Sequence, residues 1–159
     1  MKKTLKWILG ALVIVFAVLQ LTNPARTNPA APPQDSLTAT NPPPPQITTM
    51  LQGACYDCHS DQTRWPWYAH VAPASWLLAS DVRDGRRHVN FSEWPHFHPD
   101  RAARLWEDIR DELDYKDMPP AQYQWMHPAA RLTEAQRQEL IQWADQEAKR
   151  LKTAAAAEN

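Results

Sequence analysis

Thirteen consecutive residues, Trp7 to Leu19, carry no polar side chain, and Leu5 and Leu21 extend the run at both ends. Such a stretch must be buried in a protein core or in a bilayer. Lys2, Lys3 and Lys6 stand directly before it, the layout of a secretory signal or of a signal-anchor that stays in the membrane. Crossing the hydrocarbon takes about 20 apolar residues, with a lower limit near 17, and Leu5 to Leu21 just meets that limit. A removed signal should end in small residues. Here the run ends Leu19-Gln20-Leu21-Thr22-Asn23-Pro24, so residues 1–23 are expected to be an uncleaved transmembrane anchor. The lysines set the N-terminus on the cytoplasmic side, which places everything after Leu21 across the membrane.

Residues 24–45 hold eight of the fifteen prolines and no aromatic residue. This composition predicts an extended, semi-rigid linker. The working domain is expected over residues 46–152, with 153–159 a disordered tail. Residues 46–159 carry 13 basic and 17 acidic side chains, a net charge of -4 against -1 for the whole chain. With no basic stripe, this balance argues against nucleic acid as a partner, and against a domain that lies flat on anionic lipid. Three glycines in 159 residues leave no material for a glycine-rich phosphate loop.

The apolar periodicity predicts helices and no strand, hence an all-α domain. A first helix runs from Gln46 to about Cys55, with Ile47, Leu51 and Cys55 on one face. A second begins near Pro73, carries Trp76, Leu77 and Val82, and ends with Gly85 at C′. A third starts at an Asp100 N-cap and reaches Leu113, with Leu105, Trp106, Ile109 and Leu113 inward. A fourth opens on the capping-box pattern Thr133-Glu134-Ala135-Gln136 and continues to Leu151. Segments 59–72, 86–99 and 114–131 read as irregular. Many of the aromatic residues lie in these loops, as if wrapped around something.

Cys55-Tyr56-Asp57-Cys58-His59 concentrates the chemistry. C-x-x-C-H is the attachment signature of a c-type haem. Cysteines at i and i+3 share one side of a helical turn, so both sulfurs can form thioethers to one haem, and His59 at i+4 presents an imidazole to the iron. Three other readings use the same residues. A thioredoxin-like redox pair needs a βαβ context that is missing here. A plain Cys55–Cys58 disulfide suits an exported domain but leaves His59 unused. A zinc site would need two further ligands, for which His96 and His98 have the spacing.

Beyond this motif, Trp65-Pro66-Trp67-Tyr68, Ala72-Pro73-Ala74-Ser75-Trp76, Gly85-Arg86 and Asn90-Phe91-Ser92-Glu93-Trp94 resemble the bacterial haem-binding domain family of small membrane-anchored, cytochrome-like proteins. The similarity extends to Met118-Pro119, Tyr123, His127-Pro128, Leu132-Thr133 and Trp143, and includes Arg26-Thr27-Asn28-Pro29 after the anchor. The resemblance implies one covalent haem c on an all-α, cytochrome c-like fold. Together with the anchor it implies a single-pass protein of the bacterial inner membrane. Its haem domain would be periplasmic and loaded by the cytochrome c maturation machinery.

For the sixth iron position Met118 is the first choice. Pro119 biases it away from helical geometry onto a loop, and a thioether is a soft ligand suited to haem iron. Met126 is the alternative thioether and His127 the alternative nitrogen ligand. Met118 could instead be a core gap-filler. Trp65, Trp67, Tyr68, Trp76, Phe91 and Trp94 could line a haem pocket or fill a small core. His70, His88, His96 and His98 read as loop or surface residues. Arg86 and Arg87 could hold a propionate or form an exposed pair. Two functions follow. One is electron transfer to redox partner proteins by a closed His/Met iron, a carrier and not an enzyme. The other is a haem-based sensor or peroxidase-like binder with an open or displaceable sixth position.

Overall fold

Helix is the only regular structure among residues 2–158, the part of the chain that the computed structural model describes. The α-helices are α1 (Lys2–Leu19), α2 (Leu37–Thr40), α3 (Pro45–Ala54), α4 (Tyr56–His59), α5 (Ala74–His88), α6 (Pro99–Asp114), α7 (Ala121–Met126) and α8 (Glu134–Glu158). Short 3-10 turns occupy Pro33–Asp35, Trp67–His70, Phe91–His96 and Pro128–Ala130.

The frame is an antiparallel pair, α6 against α8. Lys152 meets Glu107 at 2.6 Å, Arg110 meets Asp145 at 3.5 Å, and Arg137 donates to the Leu113 carbonyl at 3.1 Å, so one helix rises as the other falls. The apolar stripes that specify the pair face each other. Trp106 and Leu113 from α6 are buried against Leu140, Ala144 and Ala148 from α8, while Leu105 and Ile109 are half-buried at the seam. Thr133 starts α8 as expected: Gln136 N–H donates to its hydroxyl at 3.2 Å, and the Gln136 side chain accepts from Thr133 N–H at 2.9 Å. The helix does not stop at Leu151. It continues to Glu158 through four alanines, the best helix formers, and Ala155 is buried. The expected tail is therefore helical as far as the described residues reach, with Asn159 outside them.

Ile47, Met50 and Leu51 of α3 join this core, together with an aromatic stack. Tyr56 lies on Phe91 at 5.2 Å, Phe91 on Trp106 at 6.0 Å, Trp94 on Trp106 at 4.9 Å and Trp106 on Trp143 at 4.6 Å. Offset and edge contacts of this kind stabilise a small core beyond their area alone.

Residues 24–45 are not a free spacer. Leu37 is completely buried in the core, Ser36 and Pro43 are buried beside it, and α2 packs on the 91–96 turn. Asn41 donates to Glu147 at 3.0 Å and Asn28 to the Thr63 carbonyl at 2.9 Å. Proline kept this stretch extended in the sequence reading, but an extended chain can also be laid along a surface. One leucine in a polar tract is enough to seat it.

Candidate functional site

Cys55 lies at the junction of α3 and α4. Its carbonyl accepts from Cys58 N–H at 3.2 Å and from His59 N–H at 2.9 Å. The five-residue motif is thus a single helical turn, with both thiols on it and neither in a disulfide. Burial pushes the Cys55 thiol up to about 12 and the Cys58 thiol up to about 11, each raised further by neighbouring negative charge. A redox-active pair requires the opposite shift, toward thiolate at neutral pH, so the thioredoxin-like reading finds no support in the electrostatics.

His59 is held by α5. Its Nδ1–H donates to the Gly85 carbonyl at 2.9 Å, with the Val89 carbonyl at 3.3 Å. Two carbonyl acceptors around Nδ1 require the proton there, which leaves the Nε2 lone pair as the ligating atom. This is the arrangement in which a backbone carbonyl fixes the tautomer of a metal-binding histidine. Burial lowers the His59 pKa, opposed by the same two carbonyls, so the ring is held neutral, as a ligand must be.

Gly85 makes the approach possible. A Cβ at this position would lie 2.6 Å from the Cys58 carbonyl oxygen and 3.2 Å from the Cys58 Cβ. Gly85 therefore lies inside α5 and does not end it: the helix runs on to His88. The missing side chain lets the motif turn lie on the α5 backbone, the close contact that brings Nδ1 to the carbonyl.

Asp57, between the two cysteines, is a residue the sequence reading passed over. Its buried carboxylate accepts from Arg64 Nε at 3.1 Å, from Arg64 N–H at 3.0 Å and from the Tyr123 hydroxyl at 2.7 Å. Burial and the Asp57 carboxylate hold the Tyr123 phenol well above its usual pKa, keeping it a donor. Tyr123 also stacks on His127 at 3.9 Å. This carboxylate fastens α7 to the motif turn. The only trace of it in the sequence is an acid inside C-x-x-C-H.

Met118 follows α6 on a turn pinned from two sides. Its N–H donates to the Glu112 carbonyl at 3.3 Å, and its carbonyl accepts from the buried Arg137 at 3.1 Å. Met118 is 37% exposed and Met126 54%. His127 has both ring nitrogens engaged, Nδ1 at 3.0 Å from the Tyr123 carbonyl and Nε2 at 3.2 Å from the Tyr68 hydroxyl.

Other candidates separate from the site. His96 and His98 point away to Asp35 and Asp100, both exposed, and no cluster of three or more metal-ligating side chains is assembled among the described residues. The zinc reading thus gains nothing. His70 and His88 are at the surface. Arg87 is exposed on Asp84, whereas Arg86 is largely covered. It binds the Ser60 carbonyl at 2.8 Å, Thr63 at 2.9 Å, Asn28 at 2.9 Å and Asp61 at 3.4 Å. Arg86 is a clasp between the motif, α5 and the Thr27-Asn28 segment, with its donors already committed. The aromatic residues divide as well. Phe91 and Trp94 fill the core, Trp65 donates to Asn28 at 3.3 Å, and Trp67 and Trp125 are exposed.

A family model described as a haem-binding domain matches residues 14–146, a span that takes in the motif turn, Gly85, Met118 and the first half of α8. The chain belongs to the haem-binding domain family. No curated protein and no solved structure matches it. The matched span begins inside α1 and includes residues 24–45, so the seated segment is part of what the family model describes. The donor set fits the group that the family name implies: two unpaired thiols on one turn and a neutral imidazole with its outer nitrogen already bonded.

Proposed function

We propose that Cys55 and Cys58 carry one haem by thioether bonds, that His59 Nε2 and the Met118 thioether are its axial ligands, and that the protein transfers electrons from a membrane-anchored position. The observation that carries this reading is the His59 Nδ1–H bond to the Gly85 carbonyl at 2.9 Å. A surface histidine needs no such bond. A ligand that must keep one tautomer and one orientation does.

Bound there, the haem iron would supply a one-electron couple whose potential follows its axial ligands. The chain's own residues do the rest. Gly85 lets the motif turn approach α5 and orients the imidazole. Asp57, Arg64 and Tyr123 fasten α7 over the turn. Arg137 holds the Met118 backbone where α6 ends. Met118 is preferred to His127 because both nitrogens of His127 are already engaged, and to Met126 because only its backbone is held by a buried cation.

The membrane assignment rests on α1. It is the one helix among the described residues long and apolar enough to cross a bilayer: an 18-residue window within Lys2–Thr22 has mean hydropathy 2.1, with none of that window buried in protein. With the three lysines inside, the haem domain belongs on the periplasmic side of a bacterial inner membrane. There it would receive its haem from the cytochrome c maturation machinery and pass electrons to redox partner proteins.

One preparation tests the whole reading. Full-length protein made with the maturation machinery is expected to keep its haem stain on a denaturing gel. Its oxidised form is expected to show the weak near-infrared band of Met–iron ligation, and its reduced form to bind CO slowly. Haem lost on denaturation refutes the thioethers. Fast CO binding without the band refutes the closed carrier and favours a sensor or peroxidase-like site.

A further inference from the structure

The end of α1 does not dangle from the domain. Gln20 makes a two-way amide contact with Ala72, accepting from its N–H at 2.9 Å and donating to its carbonyl at 3.4 Å. Asn23 donates to the His70 carbonyl at 3.5 Å and accepts from the Ser75 hydroxyl at 2.5 Å. The Trp76 indole N–H donates to the Thr22 carbonyl at 3.1 Å. These contacts tie the last turn of the apolar helix to residues 70–76.

Length then fixes depth. The apolar stretch Leu5 to Leu21 spans about 25 Å at the α-helical rise of about 1.5 Å, just enough to cross the hydrocarbon. With the lysines at one interface, Gln20 to Asn23 reach the other. Whatever is hydrogen-bonded to them lies at that level too. Around this point the surface is apolar: Trp67 is 72% exposed, Leu77 53% and Trp76 37%. Trp76 spends its polar N–H on the helix end and leaves ring surface free, the division of labour that suits tryptophan to the headgroup boundary.

We propose that Trp67, Trp76 and Leu77 are a second membrane contact, inserted into the interfacial layer of the lipid that α1 crosses, so that the haem domain lies on the bilayer and is not tethered above it. This rests on the anchor reading of α1. The domain's net negative charge does not oppose it, because the contact is apolar and is imposed by the adjoining span. It also sets the height of the site. Gly85, whose carbonyl holds His59, is nine residues beyond Trp76 on α5, so about 14 Å of helix at most separates the His59 anchor point from the interface.

The test uses full-length, haem-loaded protein labelled with 5-fluorotryptophan, in nanodiscs with and without a gadolinium-chelating headgroup lipid. It is read by fluorine NMR in the reduced, CO-treated state, with signals assigned from single Trp→Phe variants. Trp67 and Trp76 are expected to lose intensity with the gadolinium lipid, as Trp7 in the anchor does, while the exposed Trp125 keeps its signal. Loss at Trp7 with Trp67 and Trp76 unaffected overturns the proposal, leaves the anchor standing and frees this surface for a protein partner. No loss at Trp7 overturns both. The double variant Trp67→Ser, Leu77→Ser is expected to keep its haem content and to recover the Trp76 signal. An unchanged Trp76 loss would remove Trp67 and Leu77 from the contact.

Discussion

Replacing Gly85 with alanine puts the site's geometry to a test of sign. In an open helix interior, glycine to alanine is stabilising by about 1 kcal/mol, and Gly85 does lie inside α5. Here the new Cβ would stand 2.6 Å from the Cys58 carbonyl oxygen and 3.1 Å from its carbon. These are backbone atoms that cannot swing aside. Forcing a carbon into packed structure costs about 1–3 kcal/mol. Pushing the motif turn off α5 also stretches the His59–Gly85 hydrogen bond, a further loss of about 1 kcal/mol. The helix gain does not offset the two costs, and the net is a destabilisation of about 1–3 kcal/mol. For a chain of this size that lowers Tm by roughly 2–12 °C. Thermal unfolding of the haem-loaded protein in detergent, followed at the haem absorbance, measures it. A weakened Nδ1 bond also makes the imidazole a poorer donor, so the reduction potential is expected to rise. Gly53→Ala is the control: its Cβ would meet the Ala129 carbonyl at 2.9 Å, so it is expected to lower Tm without moving the potential. An unchanged or higher Tm for Gly85→Ala would refute the close contact and with it the positioning of His59.

Leu37→Ala is expected to cost about 2–5 kcal/mol in thermal unfolding, as for a fully buried leucine; a change within about 0.5 kcal/mol would return residues 24–45 to the status of a spacer. In haem-free, reduced protein the Cys58 thiol, at about 11, is about 0.1% thiolate at pH 8, against about a quarter for an ordinary cysteine near 8.5. Alkylation by iodoacetamide should therefore be slower by about two orders of magnitude, and a rate like that of a free peptide thiol would contradict the burial of the motif turn. Met118→Ala is expected to abolish the near-infrared band, lower the potential and speed CO binding, with Met126→Ala silent; the reverse pattern would make Met126 the ligand.

What the sequence displayed openly was whatever depends on local pattern. The five residues of the motif form the turn their spacing requires, Thr133 and Gln136 cap α8, and the period of Trp106 and Leu113 places them inward. What stayed hidden depends on chain segments meeting. Gly85 looked like a helix terminator because glycine's commonest use there is an end; its actual use, a close approach to Cys58, appears only once α4 and α5 are side by side. Asp57 and Tyr123 are 66 positions apart. Arg86 read as a propionate ligand or an exposed cation; its partners Asn28 and Ser60 lie 58 and 26 positions before it, so the clasp they form with it appears only in the fold.

The same distinction changes what the tryptophans and the prolines mean. The sequence suggests aromatic loops gathered around a cofactor and a proline rod holding the domain away from the membrane. In the fold, Trp94, Trp106 and Trp143 pack on one another and on Phe91, so these rings fill a core of their own. The proline tract is held against that core by Leu37, Asn28 and Asn41, and the apolar helix ends on residues 70–76. Anchor, tract and motif turn are therefore one mechanical unit, clasped by Arg86 between Asn28 and Ser60. A carrier on a loose rod gains reach at the expense of orientation. With α1 in a bilayer as proposed, this arrangement would do the opposite: it would fix one face of the motif turn relative to the membrane and restrict the partners to those that can meet it there.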